Sequence, residues 1–294
     1  MAIYSLKNSQ IGICVDSHGA ELRSLKKLDS GMEYMWNADP AYWGRTSPVL
    51  FPLVGCLNNG SFRYDGKAYP MAKHGFAKDM EFELLRQTEE ELIFLLRSDE
   101  ETRAGFPFEF EFEQGYRFDK ENEKKLVVSW NVKNCGSQRM YFSIGGHPAF
   151  WCPIGGRGTQ TEYKLIFDTK DKIVSSLVGE NSLLTGGTKE FALRDGAMEI
   201  TADLFDTDAL ILENDQAHTI SLCDSRGQPY VTVCSDAPVL GIWSPAKKNA
   251  PFICIEPWYG ICDSEGFAGE LSERRYGNEL APSGEFYAEY TIMI

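Results

Sequence analysis

The patterns that hold metals or cross-link chains are missing from this sequence. It has 4 histidines and 8 cysteines, yet no Cys-x-x-Cys pair and no histidine spacing that would gather ligands, so no metal is expected. Basic residues are in short supply, 29 against 43 acidic ones, for a net charge of −14. That balance argues against nucleic acid or an anionic membrane surface as a partner. No apolar run reaches the length of a membrane span. The N-terminus lacks a basic stretch followed by an apolar one, so no signal peptide is expected. Cys14, Cys223, Cys234 and Cys254 lie in strand-like apolar runs. They read as reduced core residues of a cytoplasmic protein. Internal repeats, Pro/Ser-rich linkers and long helical periodicity are also lacking.

What is present is alternation. Residues 106–118 place phenylalanines on one face of a strand and acidic side chains on the other, as in a sheet with one wet side. Residues 125–134, 139–144 and 285–293 alternate in the same way. Roughly twenty short strands separated by turn residues predict an all-β chain, one large antiparallel β-sandwich forming a single domain over 1–294. One helical turn is expected at 99–104 and a short helix at 269–275, while residues 170–200 read as turn-rich.

Two stretches share one pattern: a strand, an ionisable residue, a proline, then aromatics. The first is Ser143-Ile-Gly-Gly-His-Pro-Ala-Phe-Trp151 and the second Ile253-Cys-Ile-Glu-Pro-Trp-Tyr259. Proline extends the residue before it, so His147 and Glu256 are held in defined directions at strand positions. Glycines 145 and 146 either turn the chain or admit a close neighbour. A histidine held this way suits proton transfer; the competing reading is a core histidine bonded to a backbone carbonyl. A carboxylate inside an apolar run is rarely idle. Residues 43–55 are apolar but carry Pro48 and Pro52, which excludes a regular central strand. Arg45 stands at the polar end of this segment, where a surface ion pair is the competing reading. His74 lies beside a glycine in a loop, and Asp206 and Asp208 lead into an apolar strand. The Gly-rich loop at 154–159 lacks the lysine and the following helix of a phosphate loop.

Five segments in order, Gly44-Arg-Thr-Ser-Pro-Val-Leu-Phe-Pro52, Lys73-His-Gly-Phe-Ala77, Gly145-Gly-His-Pro-Ala-Phe150, Phe205-Asp-Thr-Asp-Ala-Leu210 and Ile255-Glu-Pro-Trp-Tyr-Gly260, resemble the aldose 1-epimerase (galactose mutarotase) family, in its LacX-type branch. The resemblance runs over nearly the whole chain. It implies a galactose mutarotase-like super-sandwich that binds a sugar in a cleft on one face and needs no cofactor. It also implies roles: His147 as general acid, Glu256 as general base, His74 and Arg45 on the sugar oxygens, and an aspartate of the 206–208 pair, Asp208 in preference to Asp206, on hydroxyls. The first motif departs from the mutarotase pattern, which has Asn-Arg where this chain has Arg45-Thr-Ser-Pro48, so the pocket is altered and galactose is not assumed.

The implied reaction interconverts the α and β anomers of an aldose by ring opening and closure. Trp151 and Trp258 would pack on the apolar face of the sugar. Glycoside hydrolysis is disfavoured because it usually employs two carboxylates, and here histidine takes the second place. A hexose-6-phosphate epimerase would need added cations near the pocket, with Lys73, Lys78 and Arg157 as candidates. A sugar-binding or sensing protein that has lost catalysis is the remaining alternative. Monomer and dimer are both open.

Overall fold

The structure is a computed structural model that describes residues 2–294. Two large antiparallel sheets dominate it. One has 9 strands, running in spatial order Ala197–Glu199, Lys164–Phe167, Thr219–Cys223, Pro229–Ser235, Glu285–Met293, Lys125–Asn134, Phe110–Phe118, Glu91–Arg97 and Glu83–Gln87. The other has 8, running from Leu184–Ala192 through Lys172–Val178, Leu210–Glu213, Val239–Trp243, Phe252–Tyr259 and Ile144–Gly146 to Val49–Leu50, with Ala149–Trp151 also paired to Phe252–Tyr259. A separate three-stranded sheet forms from the N-terminal residues, Ile3–Lys7, Ile11–Asp16 and Glu21–Lys27. No helix among the described residues is long and apolar enough to cross a membrane.

Period-two alternation builds the interior. Along Phe252–Tyr259, Ile253 and Ile255 turn into the space between the sheets, where they join Leu126, Val128, Trp130, Ile220, Val231 and Ile292 of the opposing sheet in one apolar cluster. The intervening side chains face the other way. Phe252 and Cys254 enter a small cluster with Trp36 and Ala149, and Trp258 enters another with Leu50, Ile211 and Val239. A strand buried on both faces carries few polar residues, which is why Glu256 stands out in this one.

Most of the local expectations hold and two do not. The helical turn is present as Glu100–Gly105, capped by the Asp99 carboxylate, which accepts from the Thr102 N–H at 2.8 Å. The expected 269–275 helix is only a 3₁₀ turn at Leu271–Glu273, since Glu270 and Glu273 cap each other across it. Residues 170–200 are not mainly turns. Lys172–Val178 and Leu184–Ala192 pair as a hairpin. The second of these is an exposed edge strand containing Gly186 and Gly187, so it lacks the buried alternation that marks a strand in sequence. Pro48 and Pro52 leave only Val49–Leu50 as a two-residue strand at the sheet edge.

Candidate active site

Strand register brings His147 to Glu256. Ile144 pairs with Tyr259 and Gly145 with Trp258 before the break; Ala149 pairs with Cys254 and Phe150 with Ile253 after it. Continued through the His147-Pro148 interruption, that register sets His147 directly across from Glu256. His147 Nε2 lies 3.2 Å from Glu256 Oε2, with the two side chains 9% and 1% exposed. The glycines beside them are required by close approach. A Cβ on Gly145 would lie 2.7 Å from the Trp258 ring, one on Gly241 also 2.7 Å from it, and one on Gly146 3.0 Å from the Tyr290 hydroxyl. The indole of Trp258 therefore lies flat in a slot between two strands.

The pair forms the floor of a cleft of about 240 Å³. Trp43 stacks on the His147 ring at 4.7 Å, and Trp243 meets it edge-on at 5.4 Å. Stripped of water in this way, the imidazole is held down to about 3, with the Lys73 ammonium adding to the effect. Burial pushes the Glu256 carboxyl well above the usual carboxylate range, and Asp208 pushes it further; Lys73 and Trp258 offset this in part. Both shifts favour the uncharged forms. Together these directions favour a neutral imidazole beside a protonated carboxyl at rest. The roles implied by the resemblance start from the other state, an imidazolium beside a carboxylate. Neither His147 Nδ1 nor Glu256 Oε2 has an aligned hydrogen-bond partner among the described residues, so the reading of a core histidine satisfied by a carbonyl is not what the geometry contains.

Loops supply the walls. His74 has φ +68°, and its ring meets that of His147 at 5.7 Å. Its Nδ1 accepts from the Gly55 N–H at 3.1 Å, while its own N–H donates to the Gly55 carbonyl at 3.1 Å. An accepting Nδ1 places the ring hydrogen on Nε2, and burial keeps the ring neutral by drawing its pKa well below 6.5. His74 thus offers one N–H donor to the cleft it lines. The loop is clamped onto Phe51, whose carbonyl accepts from Phe76 and Ala77 N–H at 3.0 Å each. Arg45 lines the cleft as well, with its guanidinium held by the Asp79 carboxylate and by the Lys78 carbonyl at 2.9 Å. Beneath it the buried Glu21 accepts from the N–H groups of Thr46 at 2.6 Å and Ser47 at 2.9 Å. Asp208 has φ +93° and accepts from Ser182 Oγ at 3.0 Å and from the Ala209 N–H at 2.8 Å. A buried node braces these walls: Arg274 pairs with Asp263 at 2.7 Å and donates to the carbonyls of Ile261 at 2.7 Å and Val54 at 3.2 Å.

The structure therefore gathers Arg45, His74, His147, Asp208, Glu256 and Trp258 around one cavity. Asp206 and Trp151 lie outside it. Asp206 is exposed two residues short of the wall. Trp151 packs against Trp36 at 4.8 Å, in the apolar cluster with Phe252, and does not reach the cleft. Lys73 and Lys78 line the cleft, whereas Arg157 is exposed and away from it. Sequence reasoning passed over Trp43, Trp243, Ser182 and Glu21. Trp43 was at hand, opening the proline-constrained segment that was expected to line something; Ser182 and Glu21 had no local pattern to mark them.

Comparison with known proteins fits this geometry. The family model described as aldose 1-epimerase matches residues 2–271. Protein LacX of Lactococcus lactis subsp. lactis is 28% identical over 298 residues, covering 98% of each chain. Among solved structures, a galactose mutarotase related enzyme from Lactobacillus acidophilus is 35% identical, with a TM-score of 0.92, covering 99% of this chain and 97% of that one. A galactose mutarotase-like protein from Lactobacillus casei is 28% identical, with a TM-score of 0.92 and 99% of each chain covered. With its two-sheet architecture and a matched region extending over most of its length, the chain belongs to the aldose 1-epimerase family.

Proposed function

We propose that this protein interconverts the anomers of a free aldose by proton transfer at the His147–Glu256 pair. The observation that carries the reading is that contact: two buried titratable groups at 3.2 Å, opposite one another on the floor of a cleft. Mutarotation acts on two oxygens bonded to the same carbon, the ring oxygen and the anomeric hydroxyl. Adjacent acid and base atoms can therefore serve both. From the neutral pair, the Glu256 carboxyl gives its proton to the ring oxygen while His147 Nε2 takes the proton of the anomeric hydroxyl. The C1–O5 bond breaks and C1 becomes a carbonyl carbon. The pair is then imidazolium and carboxylate. After rotation about C1–C2, imidazolium returns a proton to the carbonyl oxygen, the carboxylate takes one from O5, and the ring closes on the other face. The assignment implied by the family runs the same cycle from the opposite protonation state. Positioned acid–base groups contribute typically 10²–10⁴-fold, enough for a reaction that already proceeds in water.

His74, Arg45 and Asp208 would hold ring hydroxyls, and Trp258 would pack against the sugar. The test follows freshly dissolved α-glucose and α-galactose by polarimetry with and without the protein. No acceleration with any aldose that binds would leave a sugar-binding protein instead. A second reading, a sugar bearing a phosphate, draws on Lys73, which lines the cleft and has no carboxylate partner among the described residues, with Arg45 and Lys78 nearby. Faster anomer exchange of a hexose 6-phosphate than of the free hexose, measured by NMR, would favour it.

A further inference from the structure

A third ligating side chain lies close to His147 and Glu256, in the apolar cluster behind them. Cys254 precedes Glu256 by two residues on the same strand, and alternation turns both side chains to the same face. The ligating atoms of His147, Cys254 and Glu256 all lie within 4.8 Å of one another, and all three residues are buried. Linear spacing hides this set, because its histidine comes from a strand over a hundred residues earlier in the chain.

We propose that His147, Cys254 and Glu256 form a zinc site, and that Zn²⁺ bound there shuts off proton transfer at the pair. Thiolate, imidazole and carboxylate are each ordinary zinc ligands, and three protein ligands with one position left open is the usual arrangement of an accessible zinc ion. A thiolate with an imidazole also selects zinc over magnesium or calcium. Zinc bonds of about 2.0–2.3 Å give a tetrahedral edge of about 3.5 Å, close to the 3.2 Å that already separates His147 Nε2 from Glu256 Oε2. The Cys254 sulfur lies within 4.8 Å of both and would have to move closer to bind. Glu256 Oε2 is buried without an aligned hydrogen-bond donor, so an oxygen lone pair is available to a metal.

Charge balance suits a dication here. Bound as thiolate, carboxylate and neutral imidazole, the three ligands carry two negative charges against the two of zinc, so no uncompensated charge is buried. With both acid–base atoms engaged by the metal, no proton is left to move.

Isothermal calorimetry of chelator-treated protein titrated with Zn²⁺ alone should find one ion per chain. Cys254→Ala should bind it at least about tenfold more weakly, and should keep its turnover while becoming resistant to zinc. With Co²⁺ as the probe, the wild-type protein should show sulfur-to-cobalt charge-transfer absorption, which reports Cys254 without any variant. No stoichiometric binding, no such band, or equal affinity in Cys254→Ala would each overturn the site. Inhibition rests on the proposed mutarotation, but binding does not. Stoichiometric zinc in a protein with no epimerase activity would uphold the site while removing the proposed reaction.

Discussion

Replacing Glu256 by glutamine separates two questions that most substitutions confound. The amide matches the protonated carboxyl in size and keeps a donor and an acceptor, but it cannot transfer a proton. Glu256 is 1% exposed and beside His147 at 3.2 Å, and burial pushes its carboxyl well above the usual carboxylate range. If the resting pair is neutral, Glu256→Gln exchanges one uncharged group for another and should cost less than about 1 kcal/mol of stability. If the pair were an imidazolium–carboxylate ion pair, the change would strand a buried imidazolium and cost about 3–5 kcal/mol. The catalytic cost is independent of that choice. Losing one acid–base partner should lower kcat by about 10²–10⁴-fold, equivalent to about 3–5 kcal/mol of barrier. Urea unfolding near neutral pH gives the first quantity and polarimetry with a saturating aldose the second. A stability loss of 3 kcal/mol or more would refute the neutral pair. Turnover within a few fold of wild type would refute the acid–base role.

Three further outcomes are expected. Burial holds the His147 imidazole at about 3, against 6.5 when unfolded, so between those values the unfolded chain binds a proton there that the native chain does not, and stability falls as pH drops through that window. Glu256 adds no slope below 4.5, where it is protonated in both states. Between about pH 6 and pH 4, wild type should lose on the order of 2 kcal/mol more than His147→Gln in urea unfolding; equal losses would show that the imidazole is not the cause. Arg45→Ala should raise KM more than it lowers kcat, since contacts remote from the reacting carbon bind substrate and transition state alike, and Arg45→Lys should not restore KM because one ammonium cannot satisfy Asp79, the Lys78 carbonyl and a sugar oxygen together. Gly75→Ala should destabilise by at least about 2 kcal/mol, because Gly75 has φ +69° and its Cβ would lie 2.3 Å from the Phe51 carbonyl oxygen; a normal Tm would mean that the His74 loop is not clamped there.

His147 and Glu256 were legible in the chain for a physical reason. A strand buried on both faces tolerates a carboxyl only where something justifies it, and a histidine fixed by the following proline announces a direction. Their pairing was not legible, since it depends on the register between Ile144–Trp151 and Phe252–Tyr259, and antiparallel register is decided by the packing of both faces. Trp151 shows the limit of analogy between motifs. It follows His147 by four residues, yet the path beyond Pro148 turns it toward Trp36, while Trp258, two residues past Glu256, keeps to the cleft side. Asp206 and Asp208 also share a face in a simple alternating strand. The strand starts only at Leu210, so both lie in the turns before it and only Asp208 reaches the wall. Glu21 was invisible because its partners, the Thr46 and Ser47 amides, lie some 25 residues away and have no side-chain signature.

The clamp of Arg274 on Asp263, Val54 and Ile261 ties the wall segments to one another from below, while Lys73, Ser182 and Asp208 stand in loops above it. This divides the protein into a part that is costly to alter and a part that is not. Substitutions on the loops alter the cleft rim without touching a strand pair or the buried ion pair, and loops tolerate such change. Under the proposed reaction, exchange of a few rim side chains would change the sugar preference while the sheet keeps His147 and Glu256 in place.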